Sequence, residues 1–249
     1  MDVATSSRKE VKMTNHKWTD FEFVDIFDIR KGFYNKKPPC YDDGNIPFIG
    51  ATDSKNGITG FSDLPTIEAN SKVGYGPNES IDRKLFPGNA ICVTNNGSVG
   101  YAYYQPTMFT CTHDVNPLYL KHVTLNRHIA MFLIACIEKQ RVCFTYARKW
   151  RPKRMVHSKL ILPITSDGQP DWLFMEEYMR QKEQQILKPT IDKLCKQLIF
   201  NQIGGGSAVF STINGKSLVL VIYLRQNDHP AVEKMIIPME RQCLLHLVA

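Results

Sequence analysis

The sequence predicts a mixed α/β fold, and three observations predict it. Short apolar runs of strand character, such as IPFIGA, AICVT and KLILPIT, recur between turns rich in Gly, Asn, Asp and Pro. Two segments, opening at Asn126 and Asp171, instead repeat apolar residues at helical spacing behind a side chain that can cap a helix. With 249 residues, 43% of them hydrophobic and 22% charged, the chain can bury a substantial core; this excludes general disorder and fits one large domain or a domain with an appendage.

Residues 1–17 form a polar leader with no hydrophobic period, expected to be loose or peripheral. It lacks the apolar centre of a signal peptide, and no stretch approaches the roughly 18 apolar residues of a membrane span. From Trp18, TDFEFVDIFDIRKG reads as strand, or strand plus turn, ending at Gly32. KKPPCYDDGN is a loop, because Pro38 and Pro39 supply no ladder donors, and it feeds the strand IPFIGA. Residues 52–57 follow as a hairpin tip whose Asn56-Gly57 tolerates positive φ, then ITGF returns. The arrangement repeats: LFPGNAICVT as a buried strand, Asn95-Asn96-Gly97 as a second tip, and SVGYAYYQ as its return strand. MFTCTHDVNPLYLK reads as another strand.

Asn126 caps a helix expected over 127–141, with Ile129, Phe132, Leu133, Cys136 and Ile137 on its core face. SKLILPIT is a strand, and Asp171 caps a second, long and polar helix. Its Leu187, Ile191, Leu194 and Leu198 are spaced as a seam for another helix, with a kink or break expected at Pro189. After a Gly-rich linker the last 42 residues contain one strong strand, SLVLVIYL, and no pattern that assigns them a role. The expected organisation is therefore a leader at 1–17, a domain at 18–170, a helical segment at 171–203, and a linker with tail at 204–249.

Seven cysteines (Cys40, Cys92, Cys111, Cys136, Cys143, Cys195 and Cys243) make no C-x-x-C pair and match no zinc spacing. They read as free thiols of a reducing, cytoplasmic compartment. The net charge of +7 is uneven: residues 1–125 carry 13 basic and 14 acidic side chains, residues 126–206 carry 14 and 7. Lys139, Arg141, Arg148, Lys149, Arg151, Lys153, Arg154 and Lys159 follow one another with no acid between them, interleaved with Phe144, Tyr146 and Trp150. A polyanion is the partner such a run suits; a merely solvated basic loop is the alternative. The amides and hydroxyls of the two tips can bond their own backbone, or can present themselves to base edges.

Enzymatic chemistry finds no support in the motifs. Phosphate-binding and dinucleotide-binding glycine loops, the nucleophile elbow and H-E-x-x-H are all missing. The E-x-K at Glu10-Val-Lys12 lies in the leader with no placed upstream acid, and KPPCY lacks the acid or amide of a methyltransferase catalytic stretch. His113, His122 and His128 have no set of Cys or Asp residues placed to complete a triad or metal site, and read as satisfied surface or core histidines.

The ordered set IPFIGATDSKNGITGF, NNGSVGYAYYQP, FTCTHDVNPLYL, YARKWRPKR, KLILPIT and DGQPDWLFMEEYMRQKE resembles the target-recognition half of specificity subunits of type I and related multi-subunit restriction-modification systems. The resemblance covers about residues 18–206. It implies a twisted-sheet or half-barrel DNA target-recognition domain of mixed α/β architecture with packed helices, then a helical spacer that docks methyltransferase subunits. It also implies a non-catalytic chain partnered by double-stranded DNA and by modification and restriction subunits, with S-adenosylmethionine held by the methyltransferase partner and no cofactor here. Full-length members carry two such domains and this sequence shows one, so pairing of two copies through the helix is an expectation, and the tail reads as a truncated or rearranged remnant.

On this reading Lys31, Lys36, Lys37, Arg148, Lys149, Arg151, Lys153 and Arg154 are candidate phosphate contacts, with Tyr146 among them. Thr52, Asp53, Ser54, Lys55, Asn56, Asn95, Asn96 and Ser98 are candidate groove contacts, and Leu187, Ile191, Leu194 and Leu198 the helix interface. The alternatives are a partner-docking module that no longer binds DNA, and a methyltransferase or nuclease with an unrecognised motif.

Overall fold

A computed structural model describes residues 13–144, 149–203, 207–213, 217–225 and 232–238, with side chains to residue 194. The chain divides into two compact units between Arg180 and Gln181. In the first, β1 (Lys17–Glu22) is followed by a single helical turn, α1 (Phe23–Ile26), and then by β2 (Phe27–Ile29). Of the strand, or strand plus turn, expected for this segment, the structure has strand with a helical turn in the middle, which buries Phe23 and Ile26 together.

β3 (Ile46–Ile49) and β4 (Ile58–Ser62) form the first expected hairpin. α2 (Leu64–Ala69) and α3 (Ile81–Lys84) come next, and β5 (Ala90–Thr94) with β6 (Ala102–Gln105) forms the second hairpin. The single strand expected over MFTCTHDVNPLYLK is two, β7 (Thr110–Cys111) and β8 (Val115–Leu120), because a turn at His113-Asp114 sends them into different sheets. β2, β8, β5 and β6 lie in that order in a four-stranded antiparallel sheet. β4, β3 and β7 make a three-stranded one in which β3 and β7 run parallel.

β5 shows why its sequence is apolar without alternation. Successive strand side chains point to opposite faces, and both faces here are covered. Ile91 and Val93 enter one core with Phe23, Phe27, Leu118, Leu133 and Trp150, while Ala90 and Cys92 enter another with Tyr34, Phe48, Phe109 and Cys111. Burial pushes the Cys92 and Cys111 thiols up, so both behave as small apolar side chains. Lys84, fully buried, caps the carbonyls that end α2: its Nζ donates to Ile67 O at 3.0 Å and Glu68 O at 2.9 Å. Desolvation lowers its pKa.

α4 (Arg127–Glu138) begins where expected, with the Asn126 side chain accepting from His128 N and Ile129 N. It stops earlier than the expected Arg141, because the chain tightens into a 3₁₀ turn over Lys139–Cys143. The short α5 (Pro152–Met155) lies inside the basic segment, and β9 (Lys159–Ile164) pairs with β1. α6 (Trp172–Ile203) is capped by Asp171, whose Oδ1 accepts from Phe174 N at 2.9 Å. It continues past Pro189, so of the kink or break expected there the break is not found; the Thr190 hydroxyl donates to Ile186 O in that turn. In the second unit β10 (Ser207–Ile213), β11 (Ser217–Arg225) and β12 (Val232–Pro238) form an antiparallel sheet, and β11 is the predicted SLVLVIYL strand. Among the described residues no helix is long and apolar enough to cross a membrane.

Candidate nucleic-acid interface

The two hairpin tips, far apart in sequence, are neighbours in space. In the first, Lys55, Asn56 and Gly57 are all left-handed (φ 52°, 52° and 76°), which closes Gly50 N onto Gly57 O at 2.9 Å. Gly57 is required here twice over, since a Cβ would also meet the Tyr103 ring at 2.7 Å. β6 holds this tip from beneath: Tyr103 OH donates to Thr52 O, Gln105 Nε2 to Asn56 O, and Asn56 Nδ2 to Tyr104 O. Asp53, Ser54, Lys55 and Asn56 remain exposed above it, and Thr52 is half-buried. Burial, with the Glu138 and Asp53 carboxylates nearby, pushes the Tyr103 hydroxyl up to about 12, so it stays a donor at neutral pH.

The second tip meets the first at Gly97, which faces Ala51 O across 3.7 Å from its Cβ position. Asn95 is only 6% exposed, and its amide is spent inside the protein, donating to His113 O at 3.2 Å and to Asn116 Oδ1 at 3.1 Å. It is therefore removed from the groove contacts expected of it. Asn96 donates to Asp114 Oδ1 at 3.0 Å, while its own Oδ1 is buried with no hydrogen-bond partner among the described residues; Ser98 is half-buried and its carbonyl accepts the Thr94 hydroxyl. His113 sits in the same turn, its ring nitrogens against Tyr34 O and Asp114.

The basic segment reaches this cluster through Asn116, whose Nδ2 contacts Met155 Sδ on α5 at 3.8 Å. α5 carries Arg151, Lys153 and Arg154, all exposed, and Arg154 donates to Lys149 O. Trp150, one of the aromatics interleaved with the basic run, is fully buried: it stacks on Phe144 with ring centroids 4.5 Å apart, meets Phe23 edge-on, and donates to Ser158 Oγ. It fastens the basic segment to the core and offers no face to a base. Tyr146 and Arg148 lie outside the described residues.

Lys31 is exposed beside Gly32, whose N–H bonds Val115 O next to the His113-Asp114 turn. Lys36 and Lys37 lie farther along, lining an open cavity with Pro38, Pro39 and Asn70. Lys37 already donates to Thr59 O at 2.6 Å. Lys159, the last cation of the run, is paired with Asp20 of β1 at 2.7 Å. On α6, Leu187 and Ile191 are half-buried and Leu194 is 38% exposed; the Leu198 side chain lies outside the described residues.

The structure thus brings together the two tips and the 113–114 turn on a mixed α/β scaffold, and a buried Asn116–Met155 contact joins them to the inner side of α5, whose outer side carries the exposed cations. Sequence reasoning missed Tyr103, Gln105, Asp114 and Asn116, which shape this cluster. The one available signal was an asparagine, Asn116, inside an otherwise apolar strand. Among the described residues no group of three or more His, Cys, Asp or Glu side chains is arranged to hold a metal ion.

Comparison with known proteins defines the class. Residues 15–189 match the model of the type I restriction modification DNA specificity domain, and the chain belongs to that family. It is 36% identical over 176 residues to the specificity subunit S.BcgI of the type II restriction enzyme BgcI from Heyndrickxia coagulans, covering 71% of this chain and 46% of that protein. Similar solved structures include the S subunit of a type I restriction-modification system from M. genitalium (TM-score 0.46, 15% identity, 76% of this chain and 45% of that one). The HsdS subunit from Thermoanaerobacter tengcongensis is a second (TM-score 0.45, 13% identity, 69% and 38%). The chain spans about half the length of the curated relative it matches.

Proposed function

We propose that the chain binds double-stranded DNA sequence-specifically, as a specificity subunit that directs methyltransferase and endonuclease subunits to a target and performs no chemistry itself. One observation carries the reading: the two hairpin tips meet at Gly97, and the buried Asn116 links the second of them to Met155 of α5, which carries exposed cations on its outer side. A polyanion is held by Arg151, Lys153 and Arg154, with Lys149 and Lys31 at the flanks, while Asp53, Ser54, Lys55 and Asn56 face base edges. S-adenosylmethionine belongs to the methyltransferase partner.

Selection of random duplex DNA by the purified chain, at two salt concentrations and with and without a methyltransferase subunit, tests this. A short enriched motif is the expected result, and each of Arg151, Lys153 and Arg154 changed to Ala should lower the salt slope by about one without changing the motif. Binding that falls steeply with salt and enriches nothing would sink the reading. A palindromic motif would add self-pairing through α6, where Leu194→Asp is then expected to abolish assembly. The partly exposed α6 stripe of Leu187, Ile191 and Leu194 favours, as a second reading, a docking segment for partner subunits.

A further inference from the structure

Arg141 belongs to the basic run, yet the structure sets it apart from the other cations. It lies in the 3₁₀ turn that follows α4, and its aliphatic stem packs on Gly100, where an added Cβ would meet Arg141 Cγ at 2.6 Å. Its guanidinium carbon lies 3.5 Å from the centroid of the Tyr101 ring. That separation is a van der Waals thickness, so the planar group must lie flat on the ring; an edge-on approach would drive its N–H groups into the π face.

Tyr101 is itself fixed, because its backbone closes the second tip: Thr94 N donates to Tyr101 O, and Tyr101 N donates to Thr94 Oγ1, both at 2.9 Å. The guanidinium is therefore held against the tip that carries Asn96 and Ser98. It brings donors on all three nitrogens and no acceptor. Among the described residues none of these donors has a hydrogen-bond partner, and Nε is buried as well as unpartnered. The acid one turn back, Glu138, accepts the Ala102 N–H at 3.0 Å. An arginine spread on a ring, with no hydrogen-bond partner among the described residues, differs from Arg151, which caps α5, and Lys153 on α5, both exposed and suited to a phosphate at the periphery.

We propose that Arg141, oriented by Tyr101, is a specificity-determining residue that reads a guanine, its two terminal nitrogens donating to O6 and N7 in the major groove. The assignment rests on the DNA-binding reading above and goes beyond it by naming the base and the reader. A flat, pre-oriented fork loses little freedom on binding, which suits base discrimination more than general charge neutralisation.

The experiment uses the whole chain and the motif it enriches, with Arg141→Lys, Arg141→Gln and Tyr101→Leu variants checked for folding by thermal melting. Arg141→Lys keeps the charge and stem but loses the fork. It should lower discrimination at one guanine by about 5- to 150-fold while leaving the salt slope and the other positions unchanged. Replacing that guanine by 7-deazaguanine should weaken the wild type and leave Arg141→Gln unaffected, and Tyr101→Leu should loosen the same base pair. Uniform weakening in Arg141→Gln with a salt slope smaller by about one would overturn the proposal in favour of a phosphate contact. Unchanged discrimination in both Arg141 variants would reduce the stack to a structural contact. If the wild type enriched no motif, the DNA-recognition reading would fall, an outcome distinct from either of these.

Discussion

The two hairpin tips have similar compositions and opposite roles. In the tip at residues 52–57 the backbone carries most of the structural duty: Thr52 O and Asn56 O accept hydrogen bonds from β6, helped by the Asn56 amide on Tyr104 O, while Asp53 and Ser54 stay exposed, the Ser54 hydroxyl meeting that of Thr52 at 3.3 Å. In the tip at residues 95–98 the side chains carry it: Asn95 is sealed between His113 O and Asn116 Oδ1, and Asn96 is tied to Asp114. A polar side chain at a turn is therefore freest to read a partner where the backbone holds the loop. The first tip is therefore the reading surface, and the second is a joint beside which Arg141 stacks on Tyr101.

The sharpest way to break this comparison is Asn95→Ala. It leaves Asn116 Oδ1 and the His113 carbonyl without their donor in a buried site, and should lower stability by about 1–3 kcal/mol in a urea titration. Any loss of DNA binding should follow the unfolded fraction, with the selected motif unchanged. Full stability combined with an altered motif would exchange the roles of the two tips.

A smaller effect on stability, and a larger one on recognition, is expected for Asp53→Ala and Ser54→Ala. Both positions are exposed, so stability should stay within about 0.5 kcal/mol of wild type. Preference at a single base pair should change by roughly 1–3 kcal/mol, read from competition between single-substitution duplexes. An unchanged motif in both variants would leave the first tip without a recognition role.

Much of the scaffold was legible in the sequence because it rests on local chemistry. The Asn126 and Asp171 caps, the left-handed Asn56-Gly57 and the SLVLVIYL strand each follow from residue type and spacing. The turn that splits 108–121 into β7 and β8 was hidden, since it depends on which sheet each half joins. The roles within the site were less legible, because burial separates residues of one type. The sequence shows Trp150 only as an aromatic within the basic run, and the fold alone shows Phe23 and Phe144 enclosing it; Asn95 reads as a groove contact until Asn116 arrives from β8. The continuation of α6 through Pro189 departs from the local rule that proline ends a helix.

The basic segment divides in the same way as the tips, and its far end supplies the smallest effect. No acid interrupts the run in sequence, yet in space Asp20 of β1 meets Lys159 at 2.7 Å, whereas Arg151 and Lys153 stay exposed on α5. The Lys159 ammonium, by hydrogen bond and charge, holds the Asp20 carboxyl below its ordinary 3.8, and Asp20 in return raises Lys159 above 10.5. The signs follow from linkage. The Asp20 contribution is present above 3.8 and lost as pH falls through its lower folded value; that of Lys159 is present below 10.5 and lost as pH rises through its higher folded value. Both groups are more than half exposed, so the gap in melting temperature between wild type and Asp20→Asn should be small at neutral pH and should close on acidification below about pH 4. The same variant frees one cation. If the far end of the segment lies along the duplex, as α5 is argued to do, Asp20→Asn should steepen the salt dependence of DNA binding; an unchanged slope would confine the electrostatic footprint to α5 and its flanks.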